Sequence, residues 1–361
     1  MGYLNPTLYA LGNSAVFNSI DDGANNEYLA NPDLYYTSGP GWNACTGWGS
    51  VNGSALLAAL RGGVWINQFD YTPKSLAACV FQNKLFLFWV ANDPSNGIYY
   101  SGSVDGLQWP QGKTIDTVDS TPQPLTAIPY NDDIYLFWAA NDVSNAIYYS
   151  SFLFPASQKI NDFDSTPLGL TACLQDGMVC LFWKSNDWHD FIYCSETGDF
   201  SVPWPAGNQV GTEEPEHGTT TFNQLTTRYS PAVTVYSNGA MVLFWTADDG
   251  SGSIYSSVLN ADPTAANSPF NILPDASSQA GPAVCTFQGS PYLFWTSGNS
   301  IFWSVAAADG SWSTGINLSP GFRTTQAPAA CVFNDLLYVF WTDETTNQIR
   351  FSASEDGLTW P

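Results

Sequence analysis

Residues 84–100 read KLFLFWVANDPSNGIYY, and residues 134–149 read IYLFWAANDVSNAIYY. An aromatic run, a polar link and a second aromatic run return in the same order. In the first run the apolar residues alternate, with Leu85, Leu87 and Trp89 on one side and Phe86 and Phe88 on the other. A period of two is that of a strand. Both sides are apolar, so both have to be covered, as where sheets stack face to face.

The Phe-Trp pair recurs at Trp89, Trp138, Trp183, Trp245, Trp295 and Trp341, at spacings of 49, 45, 62, 50 and 46 residues. A period of about 50 signals a repeat architecture. Each unit has the same parts: a small-residue strand after a proline (SLAACVF, PAACVF), a short turn, the Phe-Trp strand, and a polar link (ANDPSN, ANDVSN, ADDGSG). A third strand follows (IYYS, IYSS, IRFS), then a turn and a short outer strand such as KTIDT. Four short antiparallel strands per unit make the blade of a β-propeller. Ala and Cys in the first strand suit the crowded axis of such a ring.

Six units are clear over 71–361, and the chain reads as a single all-β propeller domain over 1–361. The last unit stops before its outer strand, which leaves an edge for another segment to pair. Gly2–Asn5 is the expected partner, closing the ring with strands from the two ends. Residues 1–70 then read as a degenerate blade with an insertion at about 41–61, and GGVWINQFD as its outer strand. The expectation is seven four-stranded blades, with six as the alternative. The 62-residue spacing places a further insertion near 205–227.

The chain carries 9 Lys+Arg against 32 Asp+Glu, a formal net charge of −23, which argues against nucleic acid and anionic membranes as partners. Charged residues are only 11% and aromatics 15%, which is core-forming and not disordered composition. No apolar run has the length of about 18 residues that a membrane-spanning helix needs. The start, MGYLNPTLYALGNS, has neither a basic region nor an apolar run. The expectation is no signal peptide, and a cytoplasmic protein or one released by a non-classical route. Cys79, Cys173, Cys285 and Cys331 share one position in the repeat and read as small buried hydrophobes with free thiols.

Two groups of residues are candidates for ligand contact. The polar link after each Phe-Trp pair carries Asn92 and Asp93, Asn141 and Asp142, Asn186 and Asp187, then Asp248 and Asp343, with Asp22 in the degenerate blade. These side chains either cap their own turns or bond ligand hydroxyls once per blade. The second group is Trp109, Trp312 and Trp360, at the ends of SVDGLQW, AADGSW and SEDGLTW. There the tryptophan either locks an Asp-Gly turn onto the blade or offers a face to a sugar. The third-strand aromatics Tyr99, Tyr148, Tyr193, Tyr255, Trp303 and Phe351 stand beside them. No metal or cofactor is expected beyond weak calcium binding by acidic loops such as Ser19–Gly23.

The Phe-Trp strand, the Ile-Tyr-Tyr-Ser strand and the Asp-Gly turns resemble those of sialidase-like and lectin β-propellers, whose Asp box is a Ser-x-Asp-x-Gly-x-x-Trp turn. Here Asp and Gly are adjacent and the motif is one residue short. The resemblance implies a non-catalytic lectin with several weak, near-equivalent sugar sites and glycans or glycoproteins as partners. The alternatives are a protein-binding propeller of receptor-recognition or toxin-associated type and a sialidase-like glycoside hydrolase. A sialidase would need three converging arginines. The chain has Arg61, Arg228, Arg323 and Arg350, and lacks that family's Phe/Tyr-Arg-Ile-Pro motif. Its acids are spread over the repeats, whereas glycosidases pair two carboxylates at one site.

Overall fold

A computed structural model describes residues 17–20, 42, 47–51, 63–153, 156–216, 219–236, 238–259 and 262–360. Each clear repeat becomes an antiparallel sheet. Blade 1 runs Ala77–Phe81, Lys84–Val90, Ile98–Ser103 and Lys113–Thr114, in that order from the axis outward. Blade 2 spans 126–159, blade 3 spans 170–209 and blade 4 spans 283–317, all with the same order.

Blade 5 takes its first three strands from Ala329–Phe333, Leu336–Thr342 and Ile349–Ser354. Its outer strand is Val64–Trp65, paired as Arg350 with Trp65 and Phe351 with Val64. The ring is therefore closed by residues 64–65. The expected closing strand, Gly2–Asn5, lies outside the described residues, as does most of 1–70, including Asp22 and most of the proposed insertion at 41–61, of which Ser50–Val51 pairs with Phe17–Asn18. The stretch GGVWINQFD is not the rim of a seventh blade, because Val64 and Trp65 in it complete the last one.

Between blades 3 and 4 stands a seven-stranded sheet. Its three inner strands are Ala232–Val235, Met241–Thr246 and Ile254–Leu259, and both Ala265–Ala266 and Phe270–Leu273 pair with the third. Gly211–Glu216 lies parallel to Ala265–Ala266 and forms a hairpin with Thr219–Gln224. This hairpin is the structure of the insertion that the long repeat spacing demands. The expectation of seven four-stranded blades, and its alternative of six, thus gives way to five such blades and one enlarged sheet. The innermost strands of these sheets touch in sequence around the axis, and Ala329–Phe333 meets Ala77–Phe81.

The Phe-Trp strand holds the ring together from both of its faces. Phe88, Phe137, Phe182, Phe244, Phe294 and Phe340 are fully buried. The tryptophan of each Asp-Gly-type turn stands edge-on against the phenylalanine of the neighbouring sheet. Trp109 meets Phe340 at 5.7 Å and 87°, Trp204 meets Phe137 at 5.4 Å and 78°, and Trp312 meets Phe244 at 5.6 Å and 81°. Trp360 meets Phe294 at 5.8 Å and 89°. Such T-shaped pairs contribute about 0.5–1.5 kcal/mol each beyond area burial. Here they join sheet to sheet.

The Trp of each Phe-Trp pair is buried on the opposite side of its strand, and all but Trp341 are stacked on the aromatic residue that faces them across the sheet. Trp89 stacks on Tyr99 at 6.3 Å and Trp183 on Tyr193 at 6.2 Å. Trp138 pairs in the same way with Tyr148 and Trp245 with Tyr255. In the last two blades the register gives this place to Phe302 and Arg350, one residue before the expected Trp303 and Phe351. The chain at the start of the outer strand passes directly over the Trp ring. A Cβ at Gly112 would stand 2.3 Å from Trp89, and one at Gly207 2.4 Å from Trp183, so only glycine fits.

Among the described residues no helix is long and apolar enough to cross a membrane. Cys79 and Cys173 are buried and Cys285 and Cys331 nearly so, all with free thiols. Burial pushes the Cys79 and Cys285 thiols up to about 12, so they act as apolar packing groups.

Candidate functional site

The polar links cluster on one face of the ring. In each link the aspartate first satisfies its own turn. The Ser95 amide and hydroxyl donate to Asp93 Oδ1, and the Ser144 amide and hydroxyl to Asp142 Oδ1. The Ser185 hydroxyl and His189 amide donate to Asp187 Oδ1 at 2.8 and 2.9 Å. These hydrogen bonds, the one from the Ser95 hydroxyl foremost, hold the Asp93 carboxyl below the usual carboxylate range. Turn capping and ligand contact are not exclusive here, because each cap engages one carboxylate oxygen.

The other wall of each groove comes from the preceding sheet. It is a turn that links an outer strand to the next inner strand: Asn-Gln-Phe-Asp (67–70), Asp-Thr-Val-Asp (116–119) and Asn-Asp-Phe-Asp (161–164). In the first turn Asn67 Oδ1 accepts from the Phe69 and Asp70 amides, while its Nδ2 donates to Asp70 Oδ2 at 2.7 Å and to the Pro110 carbonyl at 3.2 Å. The Gly112 amide donates to the same Asp70 oxygen at 2.8 Å. Asn161, Asp164, Pro205 and Gly207 repeat every one of these bonds. The turn is thus pinned to the outer strand, and its third residue is thrust into solvent: Phe69 is 56% and Phe163 82% exposed.

Two open grooves result. The first is a 270 Å³ hollow between Phe69, Asp70 and Tyr71 on one side and Asn92, Asp93 and Tyr99 on the other, with Trp89 beneath and Gln111 at the rim. The second, of 220 Å³, has Phe163, Asp164, Ser165, Asn186, Asp187 and Tyr193 in the same places, with Trp183 beneath. Asn92, Asp93, Asn186 and Asp187 therefore line two equivalent hollows.

The remaining expected residues divide differently. In blade 2 the wall residue is Val118 instead of phenylalanine, and the Asn141 amide nitrogen lies 3.2 Å from Ser120 Oγ. Asp343 is capped by Thr345 and Thr346 and paired with Arg350 Nε at 3.0 Å. Asp248 does not hold the capping position. Asp249 does, accepting from the Ser251 amide at 2.8 Å. Asp248 instead approaches Asp190, which is bound to Lys184 Nζ at 2.6 Å, and partial burial followed by the Asp190 charge raises its carboxyl.

The turn tryptophans are not sugar platforms. Trp109 is only 6% exposed and its ring is taken up by Phe340. Trp312 and Trp360 are half-buried in the edge-on pairs already described.

Sequence reasoning missed Phe69 and Phe163. The signal was the Asn-x-Phe-Asp turn before Thr-Pro, at NQFDYTP (67–73) and NDFDSTP (161–167).

Blade 2 carries one departure with a measurable consequence. Asp116 stands where the other turns have the asparagine that donates to the aspartate three residues on. Two carboxyls, Asp116 and Asp119, then face one another, and burial together with Asp116 pushes Asp119 up to about 6. A carboxyl whose folded-state pKa is raised contributes stability that is full below its unfolded value of 3.8 and lost as pH rises through about 6. Asp116→Asn restores the donor. The expected result is a gain of about 1 kcal/mol at pH 8, discounted for partial exposure, and none at pH 4. Urea unfolding at both pH values measures it.

The central cavity, 370 Å³, lies on the axis and is lined by the ends of the inner strands, among them Gln123, Tyr229, Gln279 and Gln326. Lys74 is the charged residue of this lining, which includes no Asp or Glu. Among the described residues no group of three His, Cys, Asp or Glu is placed to hold a metal ion.

No family model matches the chain. Kumamolisin of Bacillus sp. (strain MN-32) is 52% identical over 60 residues, which is 17% of this chain and 10% of that protein. The chain thus matches one tenth of that relative's length. Solved structures match far more of it. Aleuria aurantia lectin, described as a six-bladed β-propeller with a fucose recognition mode, has a TM-score of 0.57 at 11% identity, over 81% of this chain and 95% of its own. The α-L-arabinofuranosidase Arb93A of Fusarium graminearum has a TM-score of 0.56 at 14% identity, over 81% and 96%. AofleA of Arthrobotrys oligospora has a TM-score of 0.58 at 12% identity, over 81% and 85%. At these identities the likeness is one of fold. The chain is an all-β propeller, similar in build to lectin and arabinofuranosidase propellers, and the likeness does not single out the sialidase-like ones.

Proposed function

We propose that this propeller is a carbohydrate-binding protein of lectin type, with its sugar sites in the grooves between Phe69 and Asp93 and between Phe163 and Asp187. One observation carries the reading: two sheet boundaries build the same hollow from the same residue types, each with an exposed phenylalanine held out by a fully bonded turn. A sugar ring has an apolar C–H face and a rim of hydroxyls. Phe69 and Tyr99 offer the first a surface, and Asn92 and Asp93 offer the second donors and acceptors. Such shallow sites bind weakly one at a time and gain avidity when both engage one surface.

A glycoside hydrolase is the second reading, favoured by the fold it shares with an arabinofuranosidase. Hydrolysis needs an acid and a second carboxylate flanking one bond; the lining of the axial cavity offers neither, and in the grooves, where carboxylates do pair, Asp93 and Asp187 are held below the usual carboxylate range by their capping bonds, the opposite of what a general acid needs. That favours binding without catalysis.

A glycan array is the test, run on the wild type and on Phe69→Ala/Phe163→Ala. Both phenylalanines are exposed, so the variant keeps its stability within about 0.5 kcal/mol. Wild-type binding to a defined glycan set, lost by at least tenfold in the variant, is the expected result. Binding to no glycan would sink the reading.

A further inference from the structure

We infer that the two open grooves select glycans bearing free amines, of glucosamine type, over neutral and anionic glycans. This deepens the carbohydrate-binding reading and rests on it. Each groove brings two carboxylates to one hollow, Asp70 with Asp93 and Asp164 with Asp187, and neither lining includes a Lys, Arg or His. The carboxylates come from separate elements, one from the pinned turn and one from the capped link, so their meeting is a product of the fold and repeats with it.

Each carboxylate lines its groove, Asp70 and Asp164 from buried positions, and keeps one oxygen outside the bonds of its own turn. Asp93 and Asp187 use Oδ1 in their caps, and Asp70 and Asp164 use Oδ2 in their turns. The second oxygen of each carboxylate takes part in none of these bonds. An ammonium group has three donors and no acceptor, and its bond to a carboxylate is about twice as strong as a neutral one. A sugar hydroxyl can use the same oxygens but gains no charge term. A uronic or sialic acid would bring a third carboxylate to a hollow with no cation to meet it. The exposed phenylalanine adds a surface for the ring, so a sugar amine is a better fit than a bare cation.

The two grooves are not equal. His189 Nδ1 lies 3.6 Å from Asp187 Oδ1 beside the second groove, whereas the first groove has no histidine among its lining residues.

The test is calorimetry at pH 6 with three hexasaccharides of one linkage: the glucosamine oligomer, its fully N-acetylated form and the glucose oligomer. They are titrated into wild type, Asp93→Asn/Asp187→Asn and Asp309→Asn. Asparagine keeps the caps, because its carbonyl oxygen accepts the same amides. Asp309 caps an exposed turn in blade 4, away from both grooves, and controls for the overall charge. The expected result is a glucosamine oligomer bound at least tenfold more tightly than the glucose oligomer. That ratio falls below threefold in the double variant, stays unchanged in Asp309→Asn, and shrinks with added salt. Neutral oligomers bound as tightly as the amine overturn the inference and leave the carbohydrate reading standing. No oligomer bound at all overturns the carbohydrate reading itself. An equal loss in Asp309→Asn, or oligolysine competing as well as the glucosamine oligomer, overturns the inference in favour of unspecific charge.

Discussion

Replacing Trp341 with alanine is expected to lower the unfolding free energy by about 3–5 kcal/mol, the range for large buried aromatics. Trp341 is fully buried, stacked on Phe322 at 4.4 Å and 26°, and the chain at Gly63 passes over its ring, where a Cβ would stand 2.3 Å away. Removing the ring leaves a cavity beneath the strand that closes the propeller. Gly63 has φ +74° and its neighbours are tied to blade 5, so the chain above cannot settle into the space at low cost. The indole Nε1 has no hydrogen-bond partner, so the expected loss is one of packing alone. A chain of this length should lose about 4–7 °C in melting temperature. Trp188→Ala is the matched control: Trp188 is 85% exposed and its loss should change stability by no more than about 0.5 kcal/mol. Calorimetry on the two variants separates scaffold tryptophan from surface tryptophan.

Removing residues 1–66 is expected to have the second large effect, an open ring. Val64 and Trp65 supply the fourth strand of blade 5, the Ile66 amide bonds the Ile349 carbonyl at 3.0 Å, and Arg350 lies 5.6 Å over the Trp65 ring. Without them Ile349–Ser354 becomes a bare edge strand, and Arg350 loses the carbonyl of Gly63 as well as its aromatic face. Unpaired edges recruit other chains. The truncated protein should elute as aggregate or dimer, and its denaturant midpoint should fall well below that of the full chain. A monomer of unchanged midpoint would show that residues 64–65 do not close the ring.

Most of the scaffold is legible in the sequence because blade packing imposes it on every repeat. The Phe of each Phe-Trp pair meets the neighbouring sheet and the Trp meets its own third strand, so both recur and both can be counted. The closing strand is not legible in that way. Val64–Trp65 carries no Phe-Trp pair, and two residues of outer strand give a period too little length to show. The shift from Asp248 to Asp249 has a similar cause: adjacent aspartates are interchangeable in a pattern, and only the hydrogen bond from Ser251 distinguishes them.

The candidate site is half legible for a geometric reason. Asn92 and Asp93 announce themselves by repetition, but the wall opposite belongs to the preceding sheet. Phe69 lies upstream in a turn whose asparagine and aspartate look like ordinary loop composition. Nothing in a linear pattern says that the turn is pinned to Gly112 and faces Asp93. The same distance hides the contacts at other boundaries, where Ser120 meets Asn141 and Arg350 pairs with Asp343.

The measurement closest to the central claim is the number of oligosaccharide sites per chain, determined by calorimetry on a glycan identified on the array. Two sites per chain are predicted from the two open grooves. Phe69→Ala and Phe163→Ala should each reduce the number to one, and the double variant to none. A single site that survives both substitutions would contradict the account and move the search to the axial cavity.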